Sequence, residues 1–204
     1  MIAAVVAALS GPAAAATGAP GGREDPWRMQ VNVYTYVIPN QPDFAMAVLP
    51  VDFRRLHLEV RYNYEAVGSF SAFAGANGAW GDRVKLTLTP MFGGVVGEVR
   101  GLVPGLRLTL AWWKLDLFSE SEYVVDLDDR DASFFYQWAE LGLSPLAWLR
   151  LGVVAQRSRV FDTPLDVQRG LFAGVTIRFV TVTLYELNAG WTTPTWVVAA
   201  SLTF

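Results

Sequence analysis

The sequence predicts an all-β chain that folds as a transmembrane, antiparallel, up-and-down β-barrel of about twelve strands. Apolar and polar residues alternate along much of its 204 residues, as they do in strands with one apolar and one polar face. Aromatic residues make up 13% of the chain, whereas its lysines are Lys85 and Lys114 alone. This composition suits an apolar, lipid-facing exterior better than the lysine- and glutamate-rich surface of a soluble barrel.

The clearest alternation lies in the stretch Leu56–Glu65. One side of the predicted strand carries Leu56, Leu58, Val60, Tyr62 and Tyr64, and the other carries His57, Glu59, Arg61, Asn63 and Glu65. A soluble secreted sandwich or lipocalin-like barrel would alternate in the same way but would bury the apolar side. The direction of the apolar side therefore separates the two classes.

Charge and composition exclude several functions. The formal net charge of -3 gives no basic surface for nucleic acid. The chain has no cysteine, which excludes disulfides and thiolate metal sites. His57 is the one histidine, so a Ser-His-Asp triad or a multi-histidine metal site has little support. We predict no enzyme activity, no cofactor and no metal.

We expect residues 1–19 to be an export signal peptide. Met1–Leu9 is apolar, a Ser-Gly-Pro break follows, and small residues allow cleavage near Ala16 or Ala19. The apolar run is shorter than the roughly 20 residues that a membrane-spanning helix needs. Residues 20–204 are then the barrel domain.

Glycine and proline divide the first half of that domain. The predicted strands are Gln30–Ile38, Phe44–Leu49, Leu56–Glu65, Phe70–Gly78 and Val84–Thr89. Breaks between them are predicted at Pro39–Asp43, at Pro50–Arg55, at Gly68 and at Gly81-Asp82. A loop is expected from Gly93 to Pro104-Gly105.

In the second half, a change in the parity of the apolar positions predicts a hairpin at Trp113-Lys114. The predicted strands are Leu106–Trp113, a strand from Leu115 through Glu122, Ser133–Ser144, Trp148–Val160, Gln168–Phe179, Val182–Leu187 and Thr195–Phe204. Longer loops are Asp126–Asp131, Asp162–Asp166 and Asn188–Pro194, which we place outside the cell, opposite short periplasmic turns. If Phe44–Leu49 were a plug or a loop, the barrel would have ten strands.

The export signal, the alternating strands and the terminal run Trp196–Phe204 together resemble bacterial outer-membrane β-barrel proteins. The resemblance implies an outer-membrane location, contact with membrane lipid and lipopolysaccharide, and recognition of the C-terminal aromatic strand by the barrel-assembly machinery. Arg55–Glu65 and the preceding Gln41–Phe44 are similar to an uncharacterised family of such barrels, which implies no activity. Twelve-stranded barrels include sugar-acid porins, nucleoside channels and a phospholipase, so the fold does not choose among them.

Eleven charged residues are predicted to line the lumen and to set its selectivity: Glu59, Arg61, Glu65, Lys85, Arg107, Asp116, Glu120, Glu122, Glu140, Arg150 and Arg178. Their charges have both signs, which fits a polar pore for small solutes. They fit equally well a self-neutralising network that fills a narrow barrel. Glu120 and Glu122, two positions apart, are expected to pair with arginines on adjacent strands.

Three other features have a structural and a functional interpretation. His57 lies near the periplasmic end of its strand, where a bond to Glu59 or to a turn carbonyl is favoured over catalysis. The Asp126–Asp131 loop lacks the glycine and distal glutamate of a Ca²⁺ loop, which favours a solvated loop. Tyrosines and tryptophans near strand ends predict interfacial girdles, while Phe134, Tyr136 and Trp138 are candidates for sugar stacking in the lumen.

The sequence therefore predicts a narrow porin-like channel for small polar solutes. A closed structural or interaction barrel, with the acidic loop as its outer contact, is the alternative from another class. An outer-membrane hydrolase is third.

Overall fold

The computed structural model describes residues 26–160 and 165–204. This part of the chain forms thirteen β-strands and one turn of 3₁₀ helix, Arg130–Ala132. The strands are β1 Trp27–Val37, β2 Phe44–Phe53, β3 Leu56–Tyr62, β4 Phe70–Ala76, β5 Gly78–Trp80, β6 Val84–Val96, β7 Gly101–Trp112, β8 Leu115–Asp126, β9 Phe134–Leu146, β10 Leu149–Val160, β11 Asp166–Ile177, β12 Val180–Leu187 and β13 Thr195–Thr203. No helix among the described residues is long and apolar enough to cross a membrane. The predicted signal peptide, residues 1–19, lies outside the described residues.

Twelve of these strands form a closed antiparallel barrel. Sequential strands pair with one another, β1 pairs with β13, and β4 pairs with β6, so the sheet has no open edge apart from the short β5. Strand β5 lies outside the ring and pairs with β6. The predicted twelve-stranded up-and-down barrel is confirmed, and the ten-stranded alternative is wrong because β2 pairs with both β1 and β3.

The apolar side of the strands points outward. Leu58, Val60 and Leu171 are 42%, 38% and 63% exposed, whereas Glu59 and Arg61 on the same strand as Leu58 are 2% and 1% exposed. Tryptophans also lie on the outside, among them Trp80, Trp112 and Trp196. The arrangement is that of a membrane barrel, because a soluble barrel would bury these leucines and valines and expose the ionic side.

The two ends of the barrel differ in the length of their connections. At one end, the two-residue turns Arg54-Arg55, Trp113-Lys114, Ala147-Trp148 and Arg178-Phe179 join the strands. At the other end, the connections 38–43, 63–69, 127–133 and 188–194 are longer. We refer to these as the short-turn end and the long-loop end. The asymmetry is that of outer-membrane barrels, whose short turns are periplasmic.

Strand β3 is shorter than the predicted Leu56–Glu65, and the difference moves one aromatic ring. The strand ends at Tyr62 because Asn63 has a φ of 57°, a left-handed conformation that asparagine tolerates. Its Oδ1 accepts a hydrogen bond from the Gly68 N–H at 2.8 Å, and its Nδ2 donates to the Ala45 carbonyl at 2.9 Å. Tyr64, predicted outward, therefore turns inward and is fully buried.

Two predicted breaks are instead strand. The predicted loop from Gly93 to Gly105 is mostly β6 and β7, which meet in a connection of only four residues, 97–100. Gly93 is a packing glycine, since a Cβ there would lie 2.5 Å from Cδ1 of Phe73. The turn predicted at Pro50–Arg55 is also shorter, because β2 continues to Phe53.

Candidate lumen site

A cluster of charged side chains spans the lumen between the middle of the strands and the long-loop end. It consists of Glu59 and Arg61 on β3, Glu65 in the loop that follows, Arg107 on β7, and Glu120 and Glu122 on β8; we call it the central cluster. In the ring, β4, β6 and β7 separate β3 from β8, so contacts between β3 and β8 cross the barrel interior. Every carboxylate of the cluster is at most 2% exposed.

Arg61 forms ion pairs with all four carboxylates of the central cluster. Its Nε donates to Glu59 Oε1 at 2.5 Å, and across the lumen its Nη1 donates to Glu122 Oε2 at 2.8 Å and its Nη2 to Glu120 Oε1 at 3.0 Å. Its guanidinium also lies 3.9 Å from the ring centroid of Tyr64 and 4.1 Å from that of Phe73. The planar fork and the two rings fix its position, an arrangement that lysine could not reproduce.

Arg107 holds two of the same carboxylates. Its Nη2 lies 2.8 Å from Glu59 Oε2 and 2.6 Å from Glu120 Oε2, and its Nε donates to Glu120 Oε2 at 2.7 Å. The Tyr64 hydroxyl donates to Glu120 Oε1 at 2.5 Å. Glu59 and Glu120 are thus each paired with both arginines, and their charges balance the two guanidinium groups.

Glu65 and Glu122 are then in excess within the central cluster. Ser71 Oγ donates to Glu65 Oε1 at 2.7 Å, and Arg61 Nη1 lies 3.7 Å from that same oxygen. Glu65 Oε2 and Glu122 Oε1 are both buried, and neither has a hydrogen-bond partner in the described part of the chain. Burial raises the pKa of Glu65, which lies in the 63–69 loop outside the strands.

A second ionic group lies nearer the short-turn end. Arg150 on β10 bonds Asp116 on β8, and its Nη1 donates to Glu140 Oε2 on β9 at 2.5 Å. The other oxygen of Glu140 accepts hydrogen bonds from Trp138 Nε1 and from the Tyr185 hydroxyl, both at 2.9 Å. These contacts join three neighbouring strands and one more distant strand, β12, across one side of the lumen.

His57 belongs to a third polar group. Its Nδ1 lies 2.8 Å from Asp52 Oδ1, and its Nε2 lies 3.7 Å from Glu59 Oε2. Asn77 Nδ2 donates to the same Asp52 oxygen at 2.7 Å and its own Oδ1 accepts from Thr89 at 2.6 Å. Asp52 and Asn77 were missing from the predicted lumen set because both fell in segments predicted to be turn or strand end.

Nine of the eleven predicted lumen residues enter these ion-paired groups, and two do not. Lys85 is on the inward side of β6 but is exposed near the short-turn end, and Arg178 is exposed within the turn after β11. The predicted pairing of Glu120 with an adjacent strand holds for Arg107, while Glu122 pairs across the lumen with Arg61. The role of all eleven residues in selectivity stays a prediction.

Several aromatic side chains predicted for the girdles are inside the barrel. Tyr34, Tyr36 and Tyr64 are at most 2% exposed, because each faces the lumen in the register of its strand or loop. Trp80, Trp113, Trp148 and Trp191 are more than half exposed on the outside. Phe134, Tyr136 and Trp138 do share the lumen side of β9, but all three are packed under other side chains rather than open to a solute.

The first carboxylate of the acidic loop, that of Asp126, is hydrogen-bonded to the backbone of the same loop. Asp126 Oδ1 accepts hydrogen bonds from the N–H groups of Asp128 and Asp129, at 2.8 and 2.9 Å. Asp129 in turn accepts from the Asp131 N–H at 3.1 Å. Within residues 26–160 and 165–204, no group of three or more His, Asp or Glu side chains is placed to hold a metal ion.

No protein-family model and no curated protein matches the sequence. Among solved structures, the KdgM porin superposes with a TM-score of 0.58 at 12% identity, covering 86% of this chain and 99% of that one. This chain shares its fold. A structure described as KdgM porin in complex with disordered oligogalacturonate gives a TM-score of 0.58 at 11% identity, with the same coverage. OpdL of Pseudomonas aeruginosa is more distant, with a TM-score of 0.48 at 11% identity over 83% of this chain and 62% of that one.

Proposed function

We propose that the protein is a narrow porin-like channel of the bacterial outer membrane that passes small polar solutes through its charged lumen. The observation that carries the proposal is an imbalance of charge. The carboxylates that enter the lumen groups are Asp52, Glu59, Glu65, Asp116, Glu120, Glu122 and Glu140, and the basic groups are Arg61, Arg107, Arg150 and His57. A network that served only to fill the barrel would be expected to contain equal numbers of acidic and basic groups, since a buried carboxylate without its own cation is costly unless it is protonated.

The proposed passage is narrow. A ring of about twelve strands has an interior between that of packed eight-stranded barrels and open sixteen-stranded porins. Arg61, Glu120 and Trp138 are at most 1% exposed, so a solute passes this level of the lumen only when these side chains move aside. The same observation favours the second candidate, a closed barrel that acts through its outer loops.

A hydrolase has less support. The His57 ring is 1% exposed, its Nδ1 is engaged by Asp52, and the nearest carboxylate to its Nε2 is Glu59. A catalytic histidine needs a nucleophile within hydrogen-bond reach and access to substrate. The described contacts of His57 provide neither.

We propose membrane lipid and lipopolysaccharide as the partners of the outer surface and the barrel-assembly machinery as the partner of β13. Arg157 and Arg169 are exposed on the outward side near the long-loop end, and Arg169 lies 4.5 Å from the Trp191 ring centroid. Guanidinium groups at that level match the phosphates of lipopolysaccharide. Co-purification of lipopolysaccharide should fall in R157A/R169A, and outer-membrane insertion should fall when Phe204 is deleted; unchanged amounts in either case would contradict that partner.

Conductance across a planar bilayer tests the channel. Purified, refolded protein should give discrete, reproducible current steps in KCl, while the same protein left unfolded in the same detergent should give none. Silence of the refolded protein across a range of pH and salt would contradict the channel and support the closed barrel.

A further inference from the structure

We infer that the lumen selects small cations, such as alkali ions and protonated amines, over anions, and that Glu65 and Glu122 contact the passing cation. The inference rests on the proposed channel and adds the class of solute and the residues that recognise it. It rests on three features of the central cluster: its net charge, its carboxylate oxygens without a hydrogen-bond partner among the described residues, and the position of the Arg61 guanidinium.

The net charge of the central cluster is negative where Glu65 and Glu122 are ionised, and because burial raises the pKa of Glu65, this excess charge develops at a higher pH than for a free carboxylate. Its two guanidinium groups face four carboxylates, and the contacts of Arg107 are with Glu59 and Glu120. Charges of one sign in a confined, weakly screened space raise the local concentration of ions of the opposite sign and exclude ions of the same sign. A passage through this cluster should therefore favour cations.

The unpartnered oxygens show where a cation would be held. Glu65 Oε2 and Glu122 Oε1 are buried without a hydrogen-bond partner among the described residues, whereas the other oxygen of each carboxylate has one. Leaving a buried acceptor unsatisfied is costly, and the cost is larger for a charged group. A metal ion or an ammonium group that enters the cluster would provide the missing partner of these oxygens.

The position of Arg61 shows that the space between Glu65 and Glu122 accepts a cationic group. Its Nη1 lies 2.8 Å from Glu122 Oε2 and 3.7 Å from Glu65 Oε1, so one N–H-bearing cationic group already lies between the two carboxylates. A passing cation that binds the unpartnered oxygens of these two carboxylates would replace Arg61 as their counter-charge. Because Arg61 is 1% exposed, such exchange also provides the movement that opens the passage.

The ligand set argues for transit rather than for a stored metal. Ca²⁺ takes six to eight oxygen ligands, and a resident site usually converges several carboxylates on one point. No three acidic or histidine side chains in the described ranges converge in this way. Monovalent cations and amines, which need fewer fixed ligands, suit the pair better.

The same charge disfavours acidic solutes. The KdgM structure that shares this fold was described in complex with oligogalacturonate, a chain of carboxylate-bearing sugars. In the present lumen such a polyanion would face Glu59, Glu120 and their acidic neighbours. The shared fold therefore does not extend to that class of solute.

Reversal potentials in a KCl gradient test the inference. At a pH high enough to ionise Glu65 and Glu122, wild-type protein should give a K⁺ to Cl⁻ permeability ratio well above one, and E65Q/E122Q should bring the ratio toward one while current steps persist. Glu98, an exposed glutamate in the 97–100 connection, provides the matched control, and E98Q should leave the ratio unchanged.

A wild-type ratio of one or below, with clear current steps, would overturn cation selection and leave the channel standing. If E65Q/E122Q does not change the ratio, Glu65 and Glu122 do not select the passing cation. Absence of any wild-type current would remove the channel itself. If the double variant does not insert, wild-type permeability to methylammonium measured against acetate tests cation selection, and equal values would overturn it.

Discussion

Replacing Arg61 by methionine should destabilise the folded barrel more than any other single loss of charge in the lumen. The substitution keeps an unbranched side chain of similar length and removes the cation that bonds Glu59, Glu120 and Glu122. Removing one partner of a buried ion pair costs about 3–5 kcal/mol, because the remaining charge stays buried and unpaired. Arg61 also stacks on Tyr64 and Phe73, so we expect the upper end, about 5 kcal/mol.

Arg100 provides the matched control for R61M. Its Nη1 lies 3.5 Å from Asp128 Oδ1, and both side chains are 65% exposed. An exposed pair contributes about 0–1 kcal/mol, so R100M should lower the free energy of unfolding by no more than that. R61K should fall between the two, because lysine keeps the charge without the planar fork.

The assay is reversible urea unfolding in lipid vesicles, followed by tryptophan fluorescence, with the free energy extrapolated to zero urea. Trp138 is buried in the lumen and should report the loss of the barrel interior. A cost of less than about 1 kcal/mol for R61M, equal to that of R100M, would mean that the loss of Arg61 leaves no uncompensated charge in the central cluster.

Three further perturbations test separate parts of the structure. L171R places a charge on the lipid face near the middle of β11 and should cost about 2–4 kcal/mol, while I177R, next to the turn, should cost about 0–1 kcal/mol; equal costs in vesicle unfolding would argue against that membrane placement. N63V should cost about 1–3 kcal/mol, because valine resists the φ of 57° and loses the bonds to Gly68 and Ala45, and N63G should cost less; a neutral N63V would contradict the left-handed turn. Because burial raises the pKa of Glu65, the folded state binds its proton more tightly than the unfolded state does. Its contribution to stability should therefore fall as pH rises above the unfolded carboxyl pKa of about 4.3, and E65Q should reduce this fall in the unfolding free energy; an unchanged curve would contradict this.

Period-two alternation was sufficient to predict which way most side chains face. Leu58 and Glu59 are neighbours on opposite faces, and the structure places them as the pattern requires. The parity change at Trp113-Lys114 likewise predicted the turn at the right residues, because a two-residue hairpin is the commonest tight connection between antiparallel strands. Local rules of this kind depend on adjacent residues alone.

The sequence alone could not predict how far along the barrel axis an inward side chain lies, or which side chains meet across the lumen. Alternation places both Lys85 and Arg107 on the inward side, but only the closed ring shows that one is exposed near a rim and the other bonds Glu59 across the barrel. The pairing of Arg61 with Glu122 joins residues 61 positions apart in sequence, and no local pattern contains that separation. Tyr64 was misplaced because one left-handed residue, Asn63, reset the alternation after it.

Thiol modification of single-cysteine variants during current recording tests the central claim, that the polar interior is the conducting path and the apolar side faces lipid. The natural chain has no cysteine, so each introduced thiol is unique. Thr109 faces the lumen on β7, and Leu106, 43% exposed, faces outward on the same strand. A water-soluble, bulky methanethiosulfonate reagent should reduce the current of T109C and leave that of L106C unchanged; a reduction in L106C alone would contradict the account.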